Sequence, residues 1–306
     1  MSRVSTYGNY QSALLDLMAA QQRQLEANQR VSSQKVATNL EGFGRGAETL
    51  TALKSAEARV QGFIDTAEAT AARLTAQDLA MERIGDGVLG AREAIANALA
   101  SGRLEGLMQE MQTYFQITQD GLNSKHQGRY LFSGGSVNTA PVNTATLSDL
   151  TVVPAAADAF DNDTLRTQSR LDEGTAIQTN FLADELGLES FEIFRDIQAY
   201  HEATPLTGQT DATVETFLKD VMSRLDAAYE GLTNHAARNG GIQNRVDQIL
   251  KGQQDQLDAL NELVGKRTDA DMAKAITDLE AAQIAIQASA QVISGLRDTS
   301  LLNFLR

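Results

Sequence analysis

All three prolines lie in the middle of the chain. They are Pro141, Pro154 and Pro205, so neither the 140 residues before the first nor the 101 residues after the last contain any. Proline interrupts a helix because it lacks a backbone N–H and its ring clashes with the preceding turn. Both flanks are therefore free to form long helices, and the chain is expected to change character between them.

Apolar and small residues of the first flank recur at alternating steps of three and four. Glu57 and Asp78 fill gaps in this heptad pattern, and the spacing slips once, at Met81. The other members are Leu53, Val60, Ile64, Ala67, Ala71, Leu74, Ile84, Val88, Ala91, Ile95 and Ala98. Such a repeat is typical of a helix packed along another helix.

The second flank carries matching stripes. One runs from Val214 to Leu232, and a second runs from Ile249 to Val264. The last helix presents Ile276, Leu279, Ile286, Ile293 and Leu296, with Gln283 and Ala290 in the remaining core positions. Its predicted mate is the N-terminal segment, which carries Leu14, Leu17, Met18 and Leu25.

The apolar content suits slender helix pairs better than one thick core. Hydrophobic residues make up 42% of the chain, but aromatic residues only 5%, and there is no Trp. The apolar positions are therefore mostly Ala, Leu, Ile and Val, as in coiled coils. An ordinary helical bundle would have the same periodicity, so the periodicity alone leaves that interpretation open.

The middle of the chain has a different composition. Residues 136–170 are rich in Thr, Asn, Asp and Val and lack helical periodicity, which predicts short strands and turns. The turn residues Asp172, Glu173 and Gly174 stand between two short extended stretches. The predicted fold is mainly α, with long N- and C-terminal helices forming a coiled-coil or helical-bundle stalk and a small β-containing central insert.

Three domains are predicted from these patterns. A terminal helical assembly domain comprises residues 1–43 with 266–306, and a helical stalk comprises residues 44–136 with 206–265. Residues 137–205 form the small β-rich insert.

Charge is unevenly distributed along the chain, whose net charge is −14. Residues 1–43 carry four cations and three anions and residues 266–306 five of each, so residues 44–265 carry −15. Near-neutral ends can associate without strong repulsion, whereas the acidic middle stays solvated. The sequence has no run of Lys and Arg, which argues against a nucleic-acid partner.

Membrane insertion and ordinary signal-peptide export are not expected. No stretch approaches 18 consecutive apolar residues. The N-terminal region has neither an uninterrupted apolar segment nor a small-residue cleavage site.

No catalytic, metal-binding or cofactor-binding residue is predicted, and the chain is not expected to be an enzyme. The histidines His126, His201 and His235 lie far apart and have no metal-ligand spacing, and there is no Cys. Neither the pair Asp161 and Asp163 nor the pair Asp269 and Asp271 has the glycine and distal Glu of a calcium loop.

Two groups of glycines need an explanation. Gly42, Gly44 and Gly46 resemble a phosphate loop only superficially, because no buried strand precedes them, and a hinge between helices is favoured. Gly85, Gly87 and Gly90 lie inside the first heptad helix, where each costs about 0.5–1 kcal/mol relative to Ala. They predict a helix that bends or lets another subunit approach, unless the cost is simply tolerated.

The segment LNSKHQGRYLFSGGSVNTAPV, residues 122–142, contains the pattern G-[RK]-Y-[IL]-F-[AS]-G. The matching residues are Gly128, Arg129, Tyr130, Leu131, Phe132, Ser133 and Gly134. This pattern resembles a signature of the hook-filament junction proteins of the bacterial flagellin-like family and, more loosely, of flagellins. We expect Gly128 to be left-handed past a helix end and Tyr130–Phe132 to form a buried β-like run.

Both ends of the chain resemble the same family. The segment from Arg3 to Thr38 is similar to its N-terminal segment, although Gln34 stands where many members carry a turn glycine. Residues 244–250, NRVDQIL, and residues 269–306 resemble its C-terminal helices. The resemblance covers both helical flanks, whereas the insert matches only in size and character.

This resemblance implies a structural subunit that joins hook to filament in motile bacteria. Members are exported by the flagellar secretion apparatus and assemble at the distal tip, so the location would be the extracellular flagellum. The implied partners are copies of the chain, other hook-associated proteins, flagellin and a cytoplasmic export chaperone, with no nucleic acid, membrane or cofactor. The nine terminal apolar residues, from Leu14 to Leu25 and from Ile276 to Leu296, would form the assembly interface.

Two alternative functions fit the same sequence features. A filament flagellin shares the same architecture and is the closer rival. A secreted adhesin or carbohydrate-binding protein on a flagellin-like scaffold is more distant. The motif Asn162-Asp163-Thr164 also fits an N-linked glycosylation acceptor.

Overall fold

The computed structural model describes the backbone of residues 2–302 and the side chains of residues 8–296. Within these limits the chain is mainly helical, which confirms the predicted fold class. The helices are α1 (Ser2–Ser33), α2 (Ala47–Ser101), α3 (Leu107–Leu122), α4 (Leu147–Val152), α5 (Ala183–Ala203), α6 (Ala212–Thr268) and α7 (Met272–Leu302). The strands are β1 (Lys125–His126), β2 (Arg129–Tyr130), β3 (Gln168–Arg170) and β4 (Ala176–Gln178).

The chain divides into two compact units. The terminal unit comprises Met1–Arg59 and Gln256–Arg306, and the central unit comprises Val60–Asp255. The three domains predicted from the sequence have other boundaries, and that division stays a prediction.

In the terminal unit, α1 packs against α7 as an antiparallel pair. The end of α1 lies near the beginning of α7, where Arg30 approaches Asp278 at 3.8 Å. Just beyond α1, the backbone N–H of Val36 donates to the carbonyl of Thr268 at 2.7 Å. The chain leaves α1 through Gln34, which has a φ of 56°. That left-handed residue ends the helix because it breaks the repeat of helical backbone angles.

The core of the central unit lies between α2, α3, α5 and α6. Phe115 of α3 is fully buried and contacts Phe191 and Phe194 of α5, with ring centroids 5.1 and 5.6 Å apart. Aromatic pairs in these tilted arrangements add about 0.5–1.5 kcal/mol beyond the burial of their area.

The four helices contact one another in a ring. Helix α2 contacts α3 through Gly87 and Thr118, and it contacts α6 through an ion pair between Arg92 and Asp226. Helix α5 contacts α3 through the phenylalanines and α6 through stacking of Tyr200 on Phe217 at 3.9 Å. The α2–α3 edge and the α5–α6 edge are thus opposite edges of the bundle.

Residues 137–205 contain more helix than the sequence predicted. The β3–β4 hairpin is present, with Asp172, Glu173 and Gly174 in its turn as expected. However, the segment also contains α4 and all 21 residues of α5. Helix α5 forms because Leu186, Phe191, Phe194 and Ile197 share a face at helical spacing and fill the core.

One position of the first heptad pattern is corrected by the structure. The heptad pattern predicts Asp78 in the seam, but Asp78 is exposed, and Gln77 occupies the buried position with 0% exposure. A carboxylate in an apolar seam would have to be neutralised or paired, whereas an uncharged amide can be buried at lower cost. The other gap residue, Glu57, is half-buried.

Candidate assembly surfaces

The face of α1 that packs on α7 is lined by small residues. Ala13, Ala20 and Ala27 are at most 8% exposed and recur every seven residues. Tyr10 precedes the first alanine, and Leu17 and Gln24 lie between the alanines, all at steps of three and four; these three residues are half-buried. Small side chains let the axes of two helices approach closely, since the interaxial distance depends on the residues at the contact.

The facing side of α7 repeats this pattern. Ala275 and Ala282 are buried, and Ser289 follows seven residues later in a half-buried position. The large apolar residues between and after them, Leu279, Ile286, Ile293 and Leu296, are half-buried. The α1–α7 contact is therefore a narrow seam built around alanines.

Large apolar side chains cover the outer faces of the same two helices. Leu15, Met18 and Leu25 of α1, and Ile276, Ile284 and Val292 of α7, are each between 45 and 66% exposed. Fully burying one such side chain contributes about 1.5–3 kcal/mol. We call these six residues the outer apolar face, and within one chain nothing described covers it.

The structure distributes the nine predicted interface residues over both surfaces. Five of them point into the α1–α7 seam and are half-buried: Leu17, Leu279, Ile286, Ile293 and Leu296. The other four, Leu14, Met18, Leu25 and Ile276, are exposed. Their role in assembly stays a prediction.

Sequence reasoning missed Leu15, Ile284 and Val292. It assigned one apolar stripe to each helix, whereas each helix carries an alanine seam and a second stripe of large residues. The exact seven-residue recurrence of Ala13, Ala20 and Ala27 was the signal that could have separated the two.

A second apolar surface of the terminal unit follows α1. Val36 and Leu40 are exposed, and Leu40, Phe43, Leu50 and Val264 line a groove of about 450 Å³. At its rim, hydrogen bonds from Lys35 and Thr268 hold the pKa of the Asp269 carboxyl below its ordinary value.

Gly44, one of the predicted hinge glycines, has a φ of 53° in the short 3-10 helix Glu41–Gly46.

The family-signature residues Gly128, Arg129, Tyr130, Leu131 and Phe132 surround the β1–β2 turn. Gln127 and Gly128 have φ of 50° and 79°, so Gly128 has the expected left-handed conformation, although in a hairpin turn rather than directly after a helix. Tyr130 ends β2, whereas Leu131 and Phe132 are buried beyond the strand. The β-like run was therefore predicted too long.

The signature residues contact neighbouring helices through their backbone. The Phe132 carbonyl accepts a hydrogen bond from the N–H of Ala183, the first residue of α5, at 3.0 Å. The Leu131 carbonyl accepts from the Arg73 guanidinium of α2 at 3.4 Å, and burial lowers the pKa of Arg73. This segment therefore fixes the start of α5 relative to α2.

The other residues considered from sequence do not converge on one site. His201 accepts a hydrogen bond from the Leu206 N–H, and His235 packs edge-on against Phe181. In the described part of the chain, no three His, Cys, Asp or Glu side chains are placed to hold a metal ion. Both polar atoms of the Asn162 side chain bond to Asp184, so this amide is engaged at the start of α5.

Two further findings concern surfaces. Arg166 hydrogen-bonds Glu185 and thereby lowers the pKa of that carboxyl. This bond secures the residues before β3 to α5.

Among the described helices, none combines the length and apolarity needed to cross a membrane.

The terminal unit thus pairs two long helices whose outer apolar face no described residue of the chain covers, and the central unit is a helical bundle with short β-hairpins. Residues 222–305 match the family model of the bacterial flagellin C-terminal helical region. No curated protein matches the chain.

Several solved structures of hook-associated proteins have a similar fold. One from Vibrio parahaemolyticus, described as flagellar hook-associated, has a TM-score of 0.62 and 13% identity, covering 76% of this chain and 99% of its own. Bacillus cereus FlgL has a TM-score of 0.57 and 15% identity, covering 70% and 99%. Hook-associated protein 3 of Legionella pneumophila has a TM-score of 0.57 and 12% identity, covering 71% and 98%. The chain thus has the fold of FlgL, the hook-associated protein 3.

Proposed function

We propose that this chain is a structural subunit of the bacterial flagellum that joins the hook to the filament. The fold and the match over residues 222–305 support a flagellar axial subunit. The junction role fits the hook-associated proteins whose fold it shares. Such a role requires surfaces for assembly and no catalytic residue.

The observation that carries this proposal is the outer apolar face of the terminal unit. Its side chains, such as Leu25 and Ile284, are more than 60% exposed although they lie on well-formed helices. An isolated pair of helices gains little stability from propensity and depends on burying an apolar face. Neighbouring axial subunits would supply the missing cover.

The finer partners follow from the same proposal. Copies of the chain and other hook-associated proteins would cover the outer apolar face on the hook side, and flagellin would join on the filament side. The chain would be exported by the flagellar secretion apparatus, held beforehand by a cytoplasmic chaperone, and would end outside the cell.

Filament flagellin is the second candidate, because it shares the architecture and the C-terminal helical region. The junction role is favoured by the GRYLFSGG segment at residues 128–135 and by the small insert. The segment that links the signature to α5 is short and spans residues 136–182.

Deletion of the gene separates these two roles. A junction subunit is needed at one obligatory position, so its loss should leave basal body and hook intact, abolish the filament and release unpolymerised flagellin into the medium. Immunogold labelling should mark a short zone at the end of the hook. Labelling along the whole filament, or long filaments on normal hooks after deletion, would contradict the junction role and indicate that the chain is a filament flagellin.

A further inference from the structure

A groove runs along the α2–α3 edge of the central unit, beside the family-signature turn. It has a volume of about 500 Å³, and Leu79, which lines it, is 62% exposed. Arg83 of α2 and Lys125 of β1 also line it, against a single lining carboxylate, Asp120. We call it the basic groove.

The cations of the basic groove are available for a partner. Among the described side chains, no carboxylate forms an ion pair within 4.0 Å with Arg83 or Lys125. The ammonium of Lys125 lies 4.3 Å above the Tyr130 ring, which holds it at the mouth of the hairpin. Residues 124–131 contain no acid, although the whole chain has a net charge of −14.

The opposite edge of the bundle carries a row of carboxylates. Glu185, Glu189, Glu192 and Asp196 recur at steps of four, three and four on one face of α5. Glu185 pairs with Arg166 and Asp196 pairs with Arg224, so the ends of this acidic stripe are neutralised within the chain.

The centre of the acidic stripe is not neutralised. Glu189 and Glu192 are exposed, and neither has an ion pair with a described side chain. A Cβ at Gly231 of α6 would lie 3.6 Å from the Glu189 carboxylate, which places this carboxylate at the α5–α6 edge. Two unpaired carboxylates on this edge therefore match two unpaired cations on the other.

We propose that the basic groove of one copy binds the centre of the acidic stripe of the next copy. This rests on the proposed function, in which copies of the chain assemble side by side. Because the two surfaces lie on opposite edges of the bundle, the contact is heterologous and repeats from copy to copy, as a ring or helical turn requires. Complementary charge fixes the register and suppresses wrong contacts between otherwise acidic copies.

Cysteine pairing tests this contact directly, because the chain has no native Cys. Cells should express two full-length single-cysteine variants together, Arg83→Cys and Glu192→Cys, one of them carrying a size tag. Isolated flagella are then oxidised by air with a copper catalyst. Each chain has one thiol, so every disulfide joins two copies, and we expect a mixed dimer of tagged and untagged chains.

The matched control replaces Glu192→Cys with Glu105→Cys, which removes the same charge from an exposed position in the loop between α2 and α3, outside both surfaces. This pair should give at least about tenfold less dimer, because its thiols approach each other only by chance. An equal yield from both pairs, or no dimer from Arg83→Cys with Glu192→Cys in flagella that contain the chain, overturns the contact. Absence of the chain from the flagella overturns the proposed function and this contact with it.

Charge exchange gives a second measurement. Arg83→Glu and Glu192→Arg should each reduce the number of filaments per cell, since like charges then oppose each other. The double variant carries both changes in every copy and restores an opposite pair, so it should recover filaments. If the double variant has no more filaments per cell than either single variant, and all three proteins are folded at normal levels, residues 83 and 192 do not pair directly.

Discussion

Gln34 has the backbone conformation that a glycine adopts at least cost. Its φ is 56°, and its carbonyl accepts a hydrogen bond from Ala270 at 2.9 Å, which links the end of α1 to the start of α7. A side chain in the left-handed region costs about 1–2 kcal/mol. Gln34 stands where many members of the resembled family carry a turn glycine, and its positive φ is one that glycine adopts without this cost.

We therefore expect Gln34→Gly to stabilise the terminal unit by about 1 kcal/mol, with part of the gain lost to greater freedom of the unfolded chain. Denaturant unfolding followed by circular dichroism measures the change. Gln21→Gly, an exposed position inside α1, is the matched control and should destabilise by about 0.5–1 kcal/mol. Destabilisation by both variants to the same extent would show that Gln34 is unstrained.

Gly87 shows why glycines occur inside α2. A Cβ there would lie 2.2 Å from the Thr118 hydroxyl and 2.8 Å from both the Thr118 nitrogen and the Tyr114 carbonyl oxygen. The backbone of α3 in the same chain occupies this space. Gly87 therefore allows α2 and α3 to pack closely, and the approach of another subunit is not needed to explain it.

Gly87→Ala should accordingly destabilise the central unit by about 1–3 kcal/mol, because backbone atoms of α3 must move. Gly62→Ala is the control within the same helix, since nothing lies within 4 Å of the added carbon. It should stabilise by about 0.5–1 kcal/mol through helix propensity. Thermal melting of both variants measures these changes. A Gly87→Ala variant with a raised melting temperature would show that α2 and α3 do not contact each other closely at Gly87.

At the scale of elements, the long helices were predictable because their periodicity is strong. Steps of three and four from Val60 to Ala98 matched the buried face of α2, and the absence of proline allowed uninterrupted length. The sequence does not predict helix α5, because the Thr- and Asn-rich composition of the preceding residues led to the assignment of every residue up to Pro205 to the β-rich insert. Its apolar residues recur at helical spacing and could have been recognised.

The candidate surfaces were only partly predictable. Apolar residues such as Ile286 and Leu25 were identified, but spacing alone does not say which stripe meets the partner helix and which faces outward. The basic groove was not predictable, because Arg83 and Lys125 are 42 positions apart and meet only through the folding of α3.

The part of the outer apolar face that lies on α1 can be tested within that helix. Leu25→Asp puts a charge on a side chain that is 64% exposed in the single chain, so it should leave folding unchanged within about 0.5 kcal/mol. In the assembled flagellum the same carboxylate would be desolvated without a partner, which is strongly unfavourable. We expect incorporation into flagella to be lost.

Asn9→Asp is the matched control for this change. It adds the same charge to an exposed position of α1 that lies about 160° around the helix from Leu25 and on the far side from Met18. Immunoblots of isolated flagella should show Asn9→Asp incorporated and Leu25→Asp absent, with equal amounts of both proteins in cells. Normal incorporation of Leu25→Asp would mean that the outer apolar face stays uncovered.

At the scale of the whole molecule, the two units differ in the size of the apolar side chains that they bury. The central unit buries Phe115, Phe132, Phe181, Phe191 and Phe194 completely, whereas the buried residues of the α1–α7 seam, among the side chains that the structure describes, are alanines. Because hydrophobic stabilisation follows the apolar area removed from water, the central unit holds most of the stability of a free chain. The terminal unit would gain its remaining stability from its neighbours.

Hydrogen exchange should show this division. In the free chain, amides of residues 10–30 in α1 should exchange at least about tenfold faster than those of residues 81–95 in α2, since local opening is governed by the apolar contacts that must be broken. Incorporation into flagella should slow exchange in α1 and leave α2 nearly unchanged, because burial of the outer apolar face stabilises only the terminal helices. Equal protection of both segments in a verified monomer would show instead that the alanine seam suffices and that assembly adds no stability to it.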